Sequence, residues 1–261
     1  MPMGSRYCVG WRTASCRRVA VAVSNDLVRT VPPADDGRPD LPPAALAVVE
    51  AVTPLLRGWL HLVCFFLSLP AGLLVIISAG SSRARAAAVV YAIGLTALFG
   101  VSAAYHRGQW SATTRPRMKR VDHATIFVMI AGSYTPLCLL TLGGGAGAAV
   151  LLVVWLAGVT GVVLALTGVA EKRVVGLVTY IGFGWGMVVM LPTLVHRLTA
   201  ADLVLLLVGG LLYTVGCIFM GTRWPDPYPT VFGYHEVWHV MVVAAAACHY
   251  LVILSAVKGA G

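Results

Sequence analysis

The chain is short of charge. Of its 261 residues only 11% are charged, 59% are apolar, and the mean hydropathy is +0.85. A water-soluble domain carries about 25% charged residues. The deficit excludes an ordinary soluble class and puts the chain among polytopic membrane proteins. Paired cysteine motifs are absent too. Cys8, Cys16, Cys64, Cys138, Cys217 and Cys248 form no CxxC pair, so no disulfide framework is implied and the thiols read as small apolar packing groups. No cleaved signal peptide is expected, because Val19 to Val23 is too short for its apolar region. No soluble-type repeat is visible. No span carries a midplane row of ionisable groups, as transport would require, and Asp202 stands at a span end.

What is present is a series of apolar runs of about 20 residues, the length a helix needs to cross the hydrocarbon layer. They fall at about 55–79, 86–106, 122–142, 147–167, 174–195, 202–220 and 235–256. The expected fold is an all-α seven-transmembrane helix bundle over residues 54–258. Residues 1–53 contain Pro32-Pro33, Pro39, Pro42-Pro43 and Asp35-Asp36 and read as a disordered, Pro-rich cytosolic tail. Pro136 and Pro192 are expected to kink spans three and five. Gly182, Gly184 and Gly186 are expected to let helices approach closely in lipid.

Orientation follows from the basic residues. The loops on the N-terminal side carry Arg107, Arg115, Arg117, Lys119, Arg120, Lys172, Arg173 and Arg223, and the opposite side carries Arg83, Arg85, Arg197 and Lys258. The N-terminus is therefore expected in the cytoplasm and the C-terminus outside. The net charge of +9 belongs to this membrane-surface pattern. No nucleic-acid partner is implied.

Polar groups inside spans are expensive, and these converge. Tyr234 is followed by His235-Glu236-Val237-Trp238-His239, whose two histidines share one helix face at i and i+4. Ser102 and His106, again i and i+4, end the second span, and Asp122 opens the third. Each has an ordinary reading alone: His106 as an interfacial helix end, Ser102 bonded back to its own helix, Asp122 as a dipole partner in a first turn. With seven spans, however, all five fall near the cytoplasmic boundary. Three histidines and a water would make an open tetrahedral zinc site. His249 lies ten residues beyond His239, about 15 Å further along the helix, too deep for the same ion. His61 lies early in span one, His196 on the external side, and His123 points about 100° away from Asp122. His123 is read as a packing or supporting group.

The segments Arg57-Gly58-Trp59-Leu60-His61, Ser102-Ala103-Ala104-Tyr105-His106-Arg107, Asp122-His123-Ala124-Thr125-Ile126, Ala131-Gly132-Ser133-Tyr134-Thr135-Pro136 and Gly233-Tyr234-His235-Glu236-Val237-Trp238-His239 resemble the hemolysin III family. That family sits within the wider group of progestin and adiponectin receptors and alkaline ceramidases. The resemblance covers about residues 55–256. It implies Zn²⁺ held by His106, His235 and His239 near the cytoplasmic face of a bacterial plasma membrane. It also implies that Asp122 holds the zinc-bound water and that Ser102 stands beside the ion. Glu236, offset about 100° from His235, is read as a supporting group rather than the base.

Three functions compete. One is a zinc-dependent hydrolase of a lipid amide or ester, with Asp122 as base and Ser102 donating to the oxyanion. The second is a membrane sensor with structural zinc. The third, cytolysis by pore formation, fits poorly with so hydrophobic a chain, and a water-soluble protease is weaker still. A membrane lipid is the expected substrate or ligand.

Overall fold

The computed structural model describes residues 53–260, so the expected tail lies outside the described residues but for its last position. Eight α-helices are present among them: α1 (Trp59–Ile77), α2 (Ser82–Arg107), α3 (Thr114–Pro136), α4 (Gly144–Leu166), α5 (Arg173–Trp185), α6 (Leu191–Arg197), α7 (Ala200–Thr222) and α8 (Tyr234–Lys258). A π-helical turn, Leu137–Leu142, prolongs α3, and a 3₁₀ segment, Gly186–Met190, runs between α5 and α6. Taken as continuous rods they are seven spans, each long and apolar enough to cross a membrane. Among the described residues there is no strand beyond an isolated bridge between Tyr228 and Phe232.

The chain divides into two compact units. The larger comprises Leu56–Asp226 and Tyr234–Gly261 and holds all the helices of the described residues. In the smaller, which includes Pro227–Gly233, the Leu55 amide donates to the Thr230 carbonyl at 3.0 Å.

Two helix starts differ from expectation for local reasons. α1 begins at Trp59 because Gly58 before it is left-handed, at φ 76°. α3 begins at Thr114, eight residues before Asp122, because the basic stretch through Arg120 contains good helix formers and winds outward about 12 Å. Its exposed flank is tied by Arg120 Nε to Glu171 Oε1 at 3.1 Å. Such an exposed pair contributes at most about 1 kcal/mol.

The prolines change helix type. Pro136 closes α3, and the π-turn follows it directly. Pro192 stands in the first turn of α6, where a missing N–H is harmless. The glycines named from sequence behave otherwise than expected: Gly182 and Gly184 face open space, and Gly186 meets only the Tyr134 hydroxyl. Their effect is on the backbone. Each glycine weakens a helix by about 1 kcal/mol, and α5 gives way to the 3₁₀ segment at Gly186. Tyr134 Oη then donates to the Phe183 and Gly184 carbonyls at 3.0 and 2.9 Å. Close helix approach occurs at other glycines. A Cβ at Gly161 would lie 2.1 Å from the Phe127 ring, and one at Gly216 2.7 Å from Trp238. In lipid, where apolar contact alone gives no drive, such packing joins α4 to α3 and α7 to α8.

α3 is the most enclosed span, and the fifth and sixth are the least. One buried cluster gathers Tyr91, Phe99, Met129, Val242 and Ile253. A second gathers Tyr134, Leu137, Met190, Leu194 and Val252. Cys64 and Cys138 are free and buried, as packing groups.

Candidate metal centre

α8 presents His235 and His239 on one face, and α2 brings His106 to them from its last turn. The ligand atoms of all three lie within 4.8 Å of one another. His106 Nε2 and His235 Nε2 are 3.2 Å apart. Two nitrogens on one tetrahedral zinc with bonds of about 2.1 Å stand about 3.4 Å apart, so the donor set and spacing suit that ion.

Local sequence fixes each ring. The Asp226 carboxylate accepts from the Tyr234 amide at 2.8 Å, satisfying a free donor at the start of α8 and complementing its dipole. Gly58 sets the approach of α1 to α2, because a Cβ there would come 2.6 Å from His106 Cβ and 3.2 Å from Arg107 Cγ. Only glycine meets both that clearance and the positive φ. Trp59, next in the chain, lies under the Arg107 guanidinium at 4.0 Å. At the end of α2, Trp110 Nε1 donates to the Ala104 carbonyl at 3.1 Å.

Glu236 is 3% exposed, and its carboxylate accepts from Arg57 Nε. The buried acid of the HExxH pattern is thus held by an arginine just before α1. It is not one of the clustered metal-ligand candidates.

Sequence reasoning missed His61. Its ring is 3% exposed and stacks on His239, with centroids 3.8 Å apart and planes 12° off parallel. His61 Nδ1 and Ser102 Oγ are 2.8 Å apart, a hydrogen bond between α1 and α2, and Asp122 lies close to Ser102. His61 Nε2 is buried without a hydrogen-bond partner, as are His123 Nδ1 and His249 Nε2. What sets His61 apart is its place, stacked on one of three clustered imidazoles.

The structure thus clusters His106, His235 and His239, with His61 stacked on His239 and hydrogen-bonded to Ser102, and Asp122 close to Ser102. His249 lies elsewhere, against Gly209 and edge-on to Tyr213 at 5.6 Å. His123 keeps a buried Nδ1 without a partner.

A seven-span bundle with a histidine cluster at one end is a recognisable class of integral, multi-pass membrane protein. Residues 49–250 match the family described as Haemolysin-III related, and the chain belongs to that family. It is 31% identical over 202 residues to "Hemolysin-3" of Bacillus cereus, covering 74% of this chain and 87% of that protein. It is 30% identical over 198 residues to "Hemolysin-3 homolog" of Bacillus subtilis (strain 168), covering 74% and 89%. Similarity extends to "Monocyte to macrophage differentiation factor" of Homo sapiens, at 27% over 171 residues, 63% of this chain and 67% of that protein.

Proposed function

We propose that the chain is a zinc-dependent hydrolase of a lipid amide or ester. The observation that carries the reading is the convergence of His106, His235 and His239 beside the hydrogen-bonded pair His61–Ser102, with Asp122 next to Ser102. The three histidines would hold the ion. Zinc supplies a Lewis acid for a carbonyl and brings the pKa of a bound water toward about 7. The residues supply the rest. Asp122 accepts a proton at a carboxylate oxygen. Ser102 donates to the developing oxyanion. His61, hydrogen-bonded to Ser102 through Nδ1, holds it in place. The ring stack on His239 keeps bulk water from that side. With the charge bias of the loops, the site faces the cytoplasmic leaflet, where a lipid carbonyl lies.

Structural zinc in a non-enzymatic sensor is the second reading. It is favoured by the 3.2 Å approach of His106 to His235, which would clamp α2 to α8 with any metal. Cytolysis, which the printed names of the bacterial relatives suggest, has the least support: so hydrophobic a chain fits poorly with a soluble toxin that later inserts.

The test is metal content per chain in mild detergent, for the parent, His106→Ala and His235→Ala, followed by hydrolysis of ceramides and other acyl lipids with Asp122→Ala as control. About one zinc per chain, lost in both histidine variants, with turnover that Asp122→Ala abolishes, is the expected result. Zinc without turnover leaves the sensor reading. A folded parent that binds no zinc overturns both.

A further inference from the structure

An open groove of about 810 Å³ runs along the seam of α1 and α2. Its walls are apolar over nearly the whole length. Ser68 and Thr96, partway along, satisfy each other at 3.2 Å. Arg107 closes one end, at the level of the histidine cluster, with its guanidinium over the Trp59 ring. A leaflet is about 15 Å thick, the rise of about ten helical residues. Counted back from Arg107, this takes in Ala104, Gly100 and Ala97 on one wall, with Leu62 and Phe65 on the other. Small residues on α2 make the furrow, and the bulk of α1 borders it.

We propose that this half of the groove is a binding site for an anionic glycerophospholipid, with one acyl chain in the furrow and the headgroup phosphate on Arg107. Charge decides the occupant. An apolar furrow ended by an exposed guanidinium matches an acyl chain ended by a phosphate. Among the described acids, Glu171, Asp202, Asp226 and Glu236 already meet Arg120, Thr199, the Tyr234 amide and Arg57. A lipid phosphate supplies an anion at the right depth, and guanidinium is the side chain best suited to it. The stack on Trp59 holds the guanidinium at the groove's end rather than free in solution. The site lies on the outer face of α2, and the inference does not rest on the metal.

The full-length protein, reconstituted in phosphatidylcholine vesicles, is tested with phosphatidylglycerol or phosphatidylcholine carrying a spin label on the acyl chain. Electron paramagnetic resonance reads the fraction of each probe held motionally restricted. The parent should select phosphatidylglycerol about fivefold, the worth of one interfacial cation. Arg107→Gln should remove most of that preference, and Arg107→Lys should retain part of it. Arg117→Gln, which removes an exposed cation outside the groove, should leave the preference unchanged. Ala104→Leu, which fills the furrow, should lower the restricted fraction of both lipids. The two substitutions act on head and tail separately, so failure of one to fold leaves the other informative. Equal restriction of both lipids by the parent overturns the proposal, as does a preference that survives Arg107→Gln. Efficient disulfide cross-linking of Ala104→Cys between copies would assign the groove to a dimer and overturn it equally.

Discussion

Near the start of α7 the side chain of Asp202 is buried, and its Oδ2 accepts from the Thr199 amide at 3.3 Å, the Thr199 hydroxyl at 2.7 Å and the Ser255 hydroxyl at 3.2 Å. About 24 Å away along α8, the buried imidazoles of His61 and His239 face one another, with His106 and His235 alongside. Both regions bury polar groups where lipid or apolar side chains surround them. At Asp202 three donors converge on Oδ2, so the arrangement has a structural purpose and needs no ligand. At the histidines ring nitrogens of His106, His235 and His239 converge within 4.8 Å, and His61 Nε2 has no partner. Buried polar atoms that close among themselves hold a fold together. Buried polar atoms that leave acceptors pointing at a shared point await something electropositive.

The sharpest way to break the contrast is to remove a ligand. His239→Ala should drop bound zinc from about one per chain to below a tenth, since a site reduced to two protein ligands loses most of its affinity. Metal analysis after gel filtration reads it, and Asp202→Asn in the same assay should leave zinc unchanged. Zinc retained by His239→Ala would place the metal elsewhere and dissolve the distinction. Next in size is Glu236→Ala. It strands Arg57 in a largely buried position, and breaking such a pair costs about 3–5 kcal/mol. Thermal unfolding in detergent should show a large loss of stability. Glu236→Gln, which keeps an acceptor, should lose much less. If the two variants melted together, the carboxylate would not be anchoring α1 to α8.

How much of this was legible in the sequence depends on how local the signal is. The seven spans were, because an apolar run of 20 residues is a property of one segment. His106, His235 and His239 were, because i,i+4 spacing and a count of crossings put them at one level. His61 was not. It is a single histidine in an apolar run, and its partner Ser102 is 41 positions away. The one local sign was Gly58 three residues earlier, whose positive φ and contact with His106 bring α1 in close. The direction of Glu236 was readable from helix geometry, but its partner Arg57 was not, being 179 positions distant. The run Gly182, Gly184 and Gly186 misled because small residues mark either close packing or a broken helix, and only Tyr134, across the bundle, decides which.

His61 offers a finer cut between the two regions. If it supports the metal ligands rather than merely filling space, His61→Ala should weaken zinc binding about 10–100-fold, the usual effect of losing a group that orients a ligand set. His61→Asn retains a donor for Ser102 but cannot stack as imidazole does, and should recover part of the affinity. Competition against a zinc chelator gives the numbers. Substituting Co²⁺ adds a readout that packing alone would not move, since the visible spectrum of the ion follows the geometry of its ligands. An unaltered Co²⁺ spectrum and affinity in His61→Ala would make His61 a packing residue of the same kind as His249.

The smallest effect sharpens the comparison from the other side. Thr199 both caps α7 and donates to Asp202 in a reciprocal box, so Thr199→Ala removes a cap and one hydrogen bond to the buried acid. A cap of this sort is worth about 1 kcal/mol. The amide of Thr199 and the hydroxyl of Ser255 still reach Asp202 in the variant, so the acid is not stranded and the loss should stay near that figure. The expected outcome is a small fall in thermal stability with zinc content, chelator competition and any lipid turnover unchanged. The double variant Thr199→Ala with His61→Ala should then show the two effects adding, because the sites lie far beyond the 7–10 Å over which neighbouring substitutions couple. Non-additivity in zinc affinity would mean that the capped end of α7 and the histidine end of α8 move together, so that the region read as a closed structural knot takes part in setting the metal site.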